Sequence, residues 1–342
     1  MRQPTLALPE RTWHSLVDWL RDDRELAGVL LARIIDDAGG ITMLGRELCP
    51  APDESYVDRR PDGVSVRSTG WVPAVRKSHG DNAMAVFVHT HPRGRAFFSS
   101  RDDRVDEELR IAFARLAAVP RYASVVIAGD SSRPLVAARF WTGAEYQPVA
   151  VRVAGQSLTI SVATSDVREL PTFDRQLRAL GRDGQQTLHS LTAGVVGAGG
   201  TGSPVFEQLV RLGVGSIVVI DDDVVTAPTV ARGYGSGVAD IGRPKVEVLQ
   251  DLAARVGLGT EVDAVVGNIR NRTSVAALRH CDVVFCCADG HAARLVLNRW
   301  AYWHLAPVID VAVLVSSVDN RVLGVDGRLT WLAPGTAYLL CC

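Results

Sequence analysis

Apolar and polar positions follow two different rhythms along this chain. Residues 9–22, PERTWHSLVDWLRD, place Trp13, Leu16, Val17 and Leu20 on one helical face behind a proline start. LAGVLLARII (26–35) is a continuous apolar run, the pattern of a buried strand, with a loop rich in Pro, Asp and Gly expected after it. A helix near 70–79, a strand AMAVFVHTH (83–91), a helix over 99–117 and the strands YASVVIAG and LVAARFW complete an α+β domain over 1–150. The stretch from 142 is transitional, with one or two strand-like runs and no low-complexity sequence, and 151–172 is assigned as a linker.

From 173 the pattern changes. A helix at 174–181 leads to LTAGVVG, a glycine loop, a helix at 203–212 and SIVVIDDD; VDAVVGN, CDVVFCCAD, a helix to about 304 and PVIDVAV follow. Apolar strands alternating with helices predict an α/β unit, a doubly wound, mostly parallel, Rossmann-like sheet over 173–342. No internal repeat is visible. The chain stops at AYLLCC with no terminal helix or polar tail, which reads as truncation.

Composition narrows the setting. The 342 residues are 47% hydrophobic, ample for two cores, and carry a formal charge of −1. That charge gives no bulk attraction to nucleic acid or to acidic membranes, so neither is expected as a partner. The N-terminus lacks the apolar core of a signal peptide, and no apolar run reaches membrane-spanning length. The six cysteines (Cys49, Cys281, Cys286, Cys287, Cys341 and Cys342) show no disulfide-framework spacing, so a reduced, cytoplasmic setting is expected.

Two stretches carry candidate chemistry. On a strand, His89 and His91 project from one face, with Thr90 turned the other way. Ser99 and Asp102 share a face of a helix beginning near 99, where serine is a natural cap. Two imidazoles and a carboxylate suit a catalytic zinc with one position left for water, whose proton still needs a base. Further on, GAGGTG (197–202) satisfies G-x-G-x-x-G between a strand and a helix, with glycines that admit phosphate to the backbone: Gly197, Gly199, Gly200 and Gly202. Asp221, at the end of the next strand, is where a dinucleotide-binding dehydrogenase would carry its ribose-binding acid.

The spacing His89-Thr90-His91-Pro92, then Ser99 and Asp102, resembles the JAMM (JAB/MPN) metalloprotease motif in full. The resemblance implies Zn2+ on His89, His91 and Asp102. It also implies Glu25, in RELAGVLLAR, as general base and Ser99 as a stabiliser of the oxyanion. That family cleaves peptide or isopeptide bonds after the C-terminal glycine of ubiquitin-like proteins. Residues 173–342, through IGRPKVE and CCADG, are similar to the adenylating domain of ThiF/MoeB-type and ubiquitin-activating enzymes. This second resemblance implies ATP, with Asp221 on its ribose, Asp223 as the second acid, Arg232 and Lys245 on the phosphates, and Asp289 holding Mg2+. It implies a homodimer in which Arg175 reaches the partner's ATP. Joining one anion to another needs such cations, which hydride transfer does not.

The second match has departures. Thr229 stands where the family has asparagine. Tyr338, in PGTAYLLCC, replaces the first cysteine of a structural zinc site, and none is assigned there. Cys286 and Cys287 read as strand packing residues, so a thioester-forming cysteine is expected beyond 342. The combined expectation is processing and activation of a ubiquitin-like or sulfur-carrier protein, with a conjugating enzyme as a further partner. The alternatives are sulfuration of a cofactor or metabolite, and a protease carrying a non-catalytic nucleotide-binding dimerisation domain.

Overall fold

The computed structural model describes residues 3–162, 171–319 and 321–336. It divides the chain into two compact units, residues 1–163 and 164–342. The expectations for Tyr338, Cys341 and Cys342 lie outside the described residues.

The first unit contains β1 (Thr5–Pro9), α1 (Glu10–Asp18), β2 (Ala27–Asp37), β3 (Gly40–Pro50), β4 (Tyr56–Arg60), β5 (Gly63–Val66), α2 (Val72–Asp81) and β6 (Met84–Pro92). It continues with α3 (Ser100–Leu116), β7 (Ala123–Asp130), β8 (Arg133–Trp141), β9 (Tyr146–Pro148), β10 (Ala150–Ala154) and β11 (Leu158–Ser161). Nine of the strands form one sheet in the order β11-β10-β1-β3-β2-β6-β7-β8-β9, while β4 and β5 pair only with each other.

Alternation along β2 and β6 decides which side chains meet which helix. Leu30, Ala32, Met84, Val86 and Val88 pack with Leu16 and Leu20 on one face. Val29, Leu31, Ala85 and Phe87 pack with Val75 of α2 and with Leu109 and Phe113 of α3 on the other. Continued along β6, the odd-numbered face carries His89 and His91 on the side that α3 covers.

Two sequence expectations change here. The segment after β2 is an eleven-residue strand, β3, rather than a loop. Gly45 hides its strand pattern, because Leu8 occupies the space that a Cβ there would need. The sheet also runs past 150: β10 pairs in parallel with β1, and β11 closes against β10. Residues 151–161, assigned to the linker, are therefore part of the first unit's sheet. The remaining linker lies largely outside the described residues.

The second unit contains α4 (Asp174–Ser190), β12 (Thr192–Val196), α5 (Gly202–Leu212), β13 (Ser216–Asp221), α6 (Ala227–Val230) and α7 (Lys245–Val256). Then come β14 (Glu261–Val266), α8 (Arg272–Ala277), β15 (Val283–Cys286), α9 (His291–His304), β16 (Val308–Val318) and β17 (Arg321–Leu332). The sheet order is β14-β13-β12-β15-β16-β17, parallel except for the final hairpin. Leu297, Trp300 and Ala301 of α9 pack with Val218, Ile220 and Val284 on one face. The order reverses between β12 and β15, the topological switch point at which sheets of this kind hold their ligands. Among the described residues no helix is long and apolar enough to cross a membrane.

Candidate active sites

In the first unit the strand and helix predictions converge. His89 Nε2 lies 3.2 Å from His91 Nε2 and 3.1 Å from Asp102 Oδ1, and His91 Nε2 lies 3.6 Å from Asp102 Oδ2. The ligand atoms of these three residues all fall within 4.8 Å of one another. Ser99 caps α3: its hydroxyl oxygen accepts from the Asp102 amide, and its own amide donates to Asp102 Oδ2 at 2.6 Å. The cap orients the Asp102 carboxylate toward the histidines.

Glu25 joins the cluster from a different element. It is 5% exposed, and its Oε1 lies 3.7 Å from His91 Nε2. Three distant groups hold this segment. The Glu25 amide donates to Arg60 O at 2.8 Å, the Leu26 amide donates to Thr90 Oγ1 at 2.9 Å, and the Ala27 amide donates to the Tyr56 hydroxyl at 3.1 Å. Thr90 is thus the anchor that keeps the base beside the histidines. Its outward parity was visible in sequence, but its partner was not.

Burial pushes the Glu25 carboxyl up to about 7, the usual tuning of a general base, against an opposing pull from His89. Burial acts in the same sense on Asp102, but there the hydrogen bond and charge of His89, with the bonds from Ser99, hold it well below the carboxylate range. Burial and the neighbouring His89 lower His91. The His91 Nδ1 atom faces Arg95 O at 3.4 Å; that carbonyl only accepts, so Nε2 is left with its lone pair toward the cluster. Among the described residues His89 Nδ1 is buried without a partner, and the ring stacks on Phe87 at 5.5 Å. Two imidazole nitrogens and a carboxylate converging on one point, with the base adjacent, fit a divalent cation of the zinc type.

The helix that presents Asp102 is pinned one turn further on by Asp106, which is fully buried. Asp106 accepts from Tyr122 at 2.6 Å, from the Ser124 hydroxyl and from Arg139 Nε at 2.9 Å. No sequence pattern signalled this network, because its members lie on α3, β7 and β8.

In the second unit the glycine loop joins β12 to α5 at the switch point of the sheet. A Cβ on Gly202 would overlap the Gly197 carbonyl oxygen, and one on Gly197, at φ +95°, would stand 2.8 Å from the Cys287 backbone. Gly199 instead faces open space, and Gly200 lies against the Arg232 stem. The Asp221 carboxylate accepts from the Ala198 amide at 2.6 Å and from the Asp223 amide at 2.8 Å. Lys245 Nζ donates to Asp223 Oδ2 at 2.6 Å and lies 3.7 Å from Asp221 Oδ1. Glycine loop, Asp221, Asp223, Lys245 and Arg232 therefore form one cluster.

Asp289 is exposed in the loop after β15, whose backbone borders Gly197. That loop is held by Arg294, which donates to Ala288 O at 3.2 Å and, through Nε, to Asp310 Oδ1 at 2.9 Å. Asp310 is fully buried and takes a second arginine, Arg328, at 3.1 Å. An aspartate inside PVIDVAV was the only sequence sign of this network. Thr229 is 5% exposed, with its hydroxyl 3.0 Å from that of Thr226, so it closes a local turn. Arg175 is exposed in the first turn of α4, with no side-chain bond to the cluster among the described residues.

A unit that gathers two histidines, an aspartate and a buried glutamate, followed by a Rossmann-like unit with a glycine loop over an acidic strand end, defines a two-domain protein with a candidate metal cluster in one unit and a candidate nucleotide site in the other. Residues 9–142 match the prokaryotic homologs of the JAB domain, and residues 173–342 match the ThiF family. The chain is a JAB domain joined to a ThiF domain.

It is similar to the SAMP-activating enzyme E1 of Haloferax volcanii, at 29% identity over 47% of this chain and 61% of that protein. It is also similar to the sulfur carrier protein ThiS adenylyltransferase of Escherichia coli, at 28% identity over 49% of this chain and 64% of that protein. A third relative, the molybdopterin-synthase adenylyltransferase of Escherichia coli, shows 28% identity over 43% and 60% respectively. The chain thus spans less than two thirds of these relatives.

Proposed function

We propose that this chain processes and activates a ubiquitin-like or sulfur-carrier protein, cleaving after its C-terminal glycine and then adenylating the exposed carboxylate. The observation that carries the first activity is the placement of buried Glu25 at 3.7 Å from His91, beside His89 and Asp102. Those three residues would hold Zn2+, which supplies a bound water acidic enough to react near neutral pH. Glu25 takes the proton of the attacking water and passes it to the departing amine, while the Ser99 hydroxyl donates to the oxyanion.

For adenylation, the cluster at the glycine loop supports ATP with its ribose at Asp221, its phosphates at Arg232 and Lys245, and Mg2+ at Asp289. The names of the relatives, each an activating enzyme or an adenylyltransferase, support the same reaction. The carboxylate oxygen attacks the α-phosphorus and pyrophosphate leaves. By resemblance Arg175 serves the ATP of a second copy, so the active form is a homodimer, and a conjugating enzyme would accept the activated product. Among the described residues Cys49, Cys281, Cys286 and Cys287 form no disulfide, which suits a reduced cytoplasmic setting.

The buried, internally bonded Thr229 favours a second reading, a ThiF domain that binds nucleotide and dimerises without turnover. Exchange of labelled pyrophosphate into ATP, dependent on an added ubiquitin-like protein, is expected on the first reading. Nucleotide binding without exchange would establish the second.

A further inference from the structure

A cavity of ≈530 Å³ opens from the histidine–aspartate cluster between α3 and the β4–β5 hairpin, and Glu25, His89, His91 and Asp102 line part of it. Arg101, next to Asp102 in the first turn of α3, is half-buried in the same wall. Its guanidinium crosses to the hairpin and lies on Gly63 so closely that any Cβ there would collide with it.

Most arginines of this unit that pack near acids are paired with them: Arg59 with Asp22, Arg93 with Asp23, Arg121 with Asp36 and Arg139 with Asp106. Arg101 has no ion pair or hydrogen bond among the described residues, although Asp62 and Glu108 also line the cavity. A half-buried guanidinium has given up part of its hydration, and its fork of donors matches a carboxylate in two parallel bonds. The charge of Arg101 is felt by Glu25, whose carboxyl it pulls down against burial, but no carboxylate of the cleft meets it in an ion pair, so its donors are placed for a ligand.

We propose that Arg101 is a specificity-determining residue that binds a carboxylate on the substrate near the scissile bond. The inference rests on the peptidase reading of this cavity. The carboxylate has two sources, an acidic side chain or the free terminus of a short tail.

The test uses fluorescent peptides carrying an internal Gly-Gly. Glu or Gln is placed at each position flanking the second glycine, and each peptide is made with a free or an amidated C-terminus. Affinity is measured on zinc-loaded Glu25→Gln chain, which binds without hydrolysing, and cleavage on the wild type. The carboxylate peptides are expected to bind about tenfold tighter or more than their amide counterparts. Arg101→Gln should erase that ratio, Arg101→Lys should keep part of it, and Arg101→Glu should favour Lys-bearing peptides instead. A ratio that follows the internal Glu identifies a side chain, and one that follows the free terminus identifies the tail. Equal binding of all pairs overturns the proposal by itself, whether or not the variants fold. So does a preference that survives Arg101→Gln, which would belong to the zinc. If the binding preference and its loss are seen but the wild type cleaves nothing, the peptidase reading fails and the carboxylate site stands.

Discussion

Glu25 and Asp289 were both singled out as acids beside a strand end, and the fold sends them to opposite environments. Glu25 is buried and pushed up to about 7 by that burial, whereas Asp289 is exposed on a loop that Arg294 holds through the Ala288 carbonyl. Glu25→Gln is isosteric and removes only the base, so it should keep zinc while losing about 100-fold or more in peptide cleavage. Asp102→Ala removes a ligand and should lose the metal; bound zinc per chain and a cleavage assay on both variants separate the two roles. Undiminished cleavage by Glu25→Gln would take Glu25 out of the mechanism. Burial also pushes Cys286 and Cys287 up to about 12, with Asp310 adding to both. Both thiols therefore stay protonated near neutral pH, so neither suits a nucleophile. The folded chain should resist iodoacetamide at both positions, and the Cys286→Ala/Cys287→Ala double variant should still exchange pyrophosphate. Loss of exchange in a well-folded double variant would reinstate one of them.

Elements present these residues, and the glycine loop shows how different two glycines of one motif can be. Gly202 opens α5 against the Gly197 carbonyl, so Gly202→Ala must displace the β12–α5 turn. Gly199 faces open space, so Gly199→Ala should melt like the wild type yet bind ATP more weakly, because the new methyl stands where phosphate approaches. Thermal melts with and without ATP distinguish them; unchanged ATP binding by Gly199→Ala would place the phosphates elsewhere. In the first unit, α3 depends on Asp106. Asp106→Ala leaves the 11% exposed Arg139 side chain without its buried partner, and it should cost on the order of 3 kcal/mol in denaturant unfolding. Because Asp102 lies one turn away, zinc affinity should fall as well. A variant of unchanged stability would show that helix packing alone holds the ligand.

At the scale of the whole molecule, the proposed function has two activities share a substrate rather than a site. A precursor with residues after its terminal glycine offers no carboxylate for adenylation until it is cut. Pyrophosphate release from a tailed ubiquitin-like protein should therefore require Glu25, while release from a trimmed one should not. Asp289→Ala should spare trimming and abolish release from both. If Glu25→Gln leaves release from the tailed form unchanged, maturation is not the purpose of the fusion and deconjugation is the better account. For assembly, mixed Arg175→Ala and Asp221→Ala chains should regain part of the activity, since one composite site per dimer would be intact. A monomer that retains activity at micromolar concentration would count against that arrangement.

Much of both sites was legible because it depends on neighbours in sequence. Strand alternation put His89 and His91 on one face of β6, helical spacing brought Ser99 and Asp102 together, and a strand–glycine–helix pattern defined the loop over Asp221. Periodicity reports only what the backbone imposes within a few residues. β3 was missed because Gly45, needed to admit Leu8, interrupts its pattern; strand-like runs after 142 were visible, but not that β10 pairs with β1 at the other end of the unit. The burial of Glu25 depends on Thr90, 64 residues from the Leu26 amide it receives. Asp106 and Asp310 likewise meet their arginines only across elements, at separations of 33 and 16 residues. The sequence by itself determined which faces are apolar and which residue types could do the chemistry. Only the tertiary structure decided which polar groups leave water together, because an ion in the interior is tolerable solely beside a partner that the fold delivers.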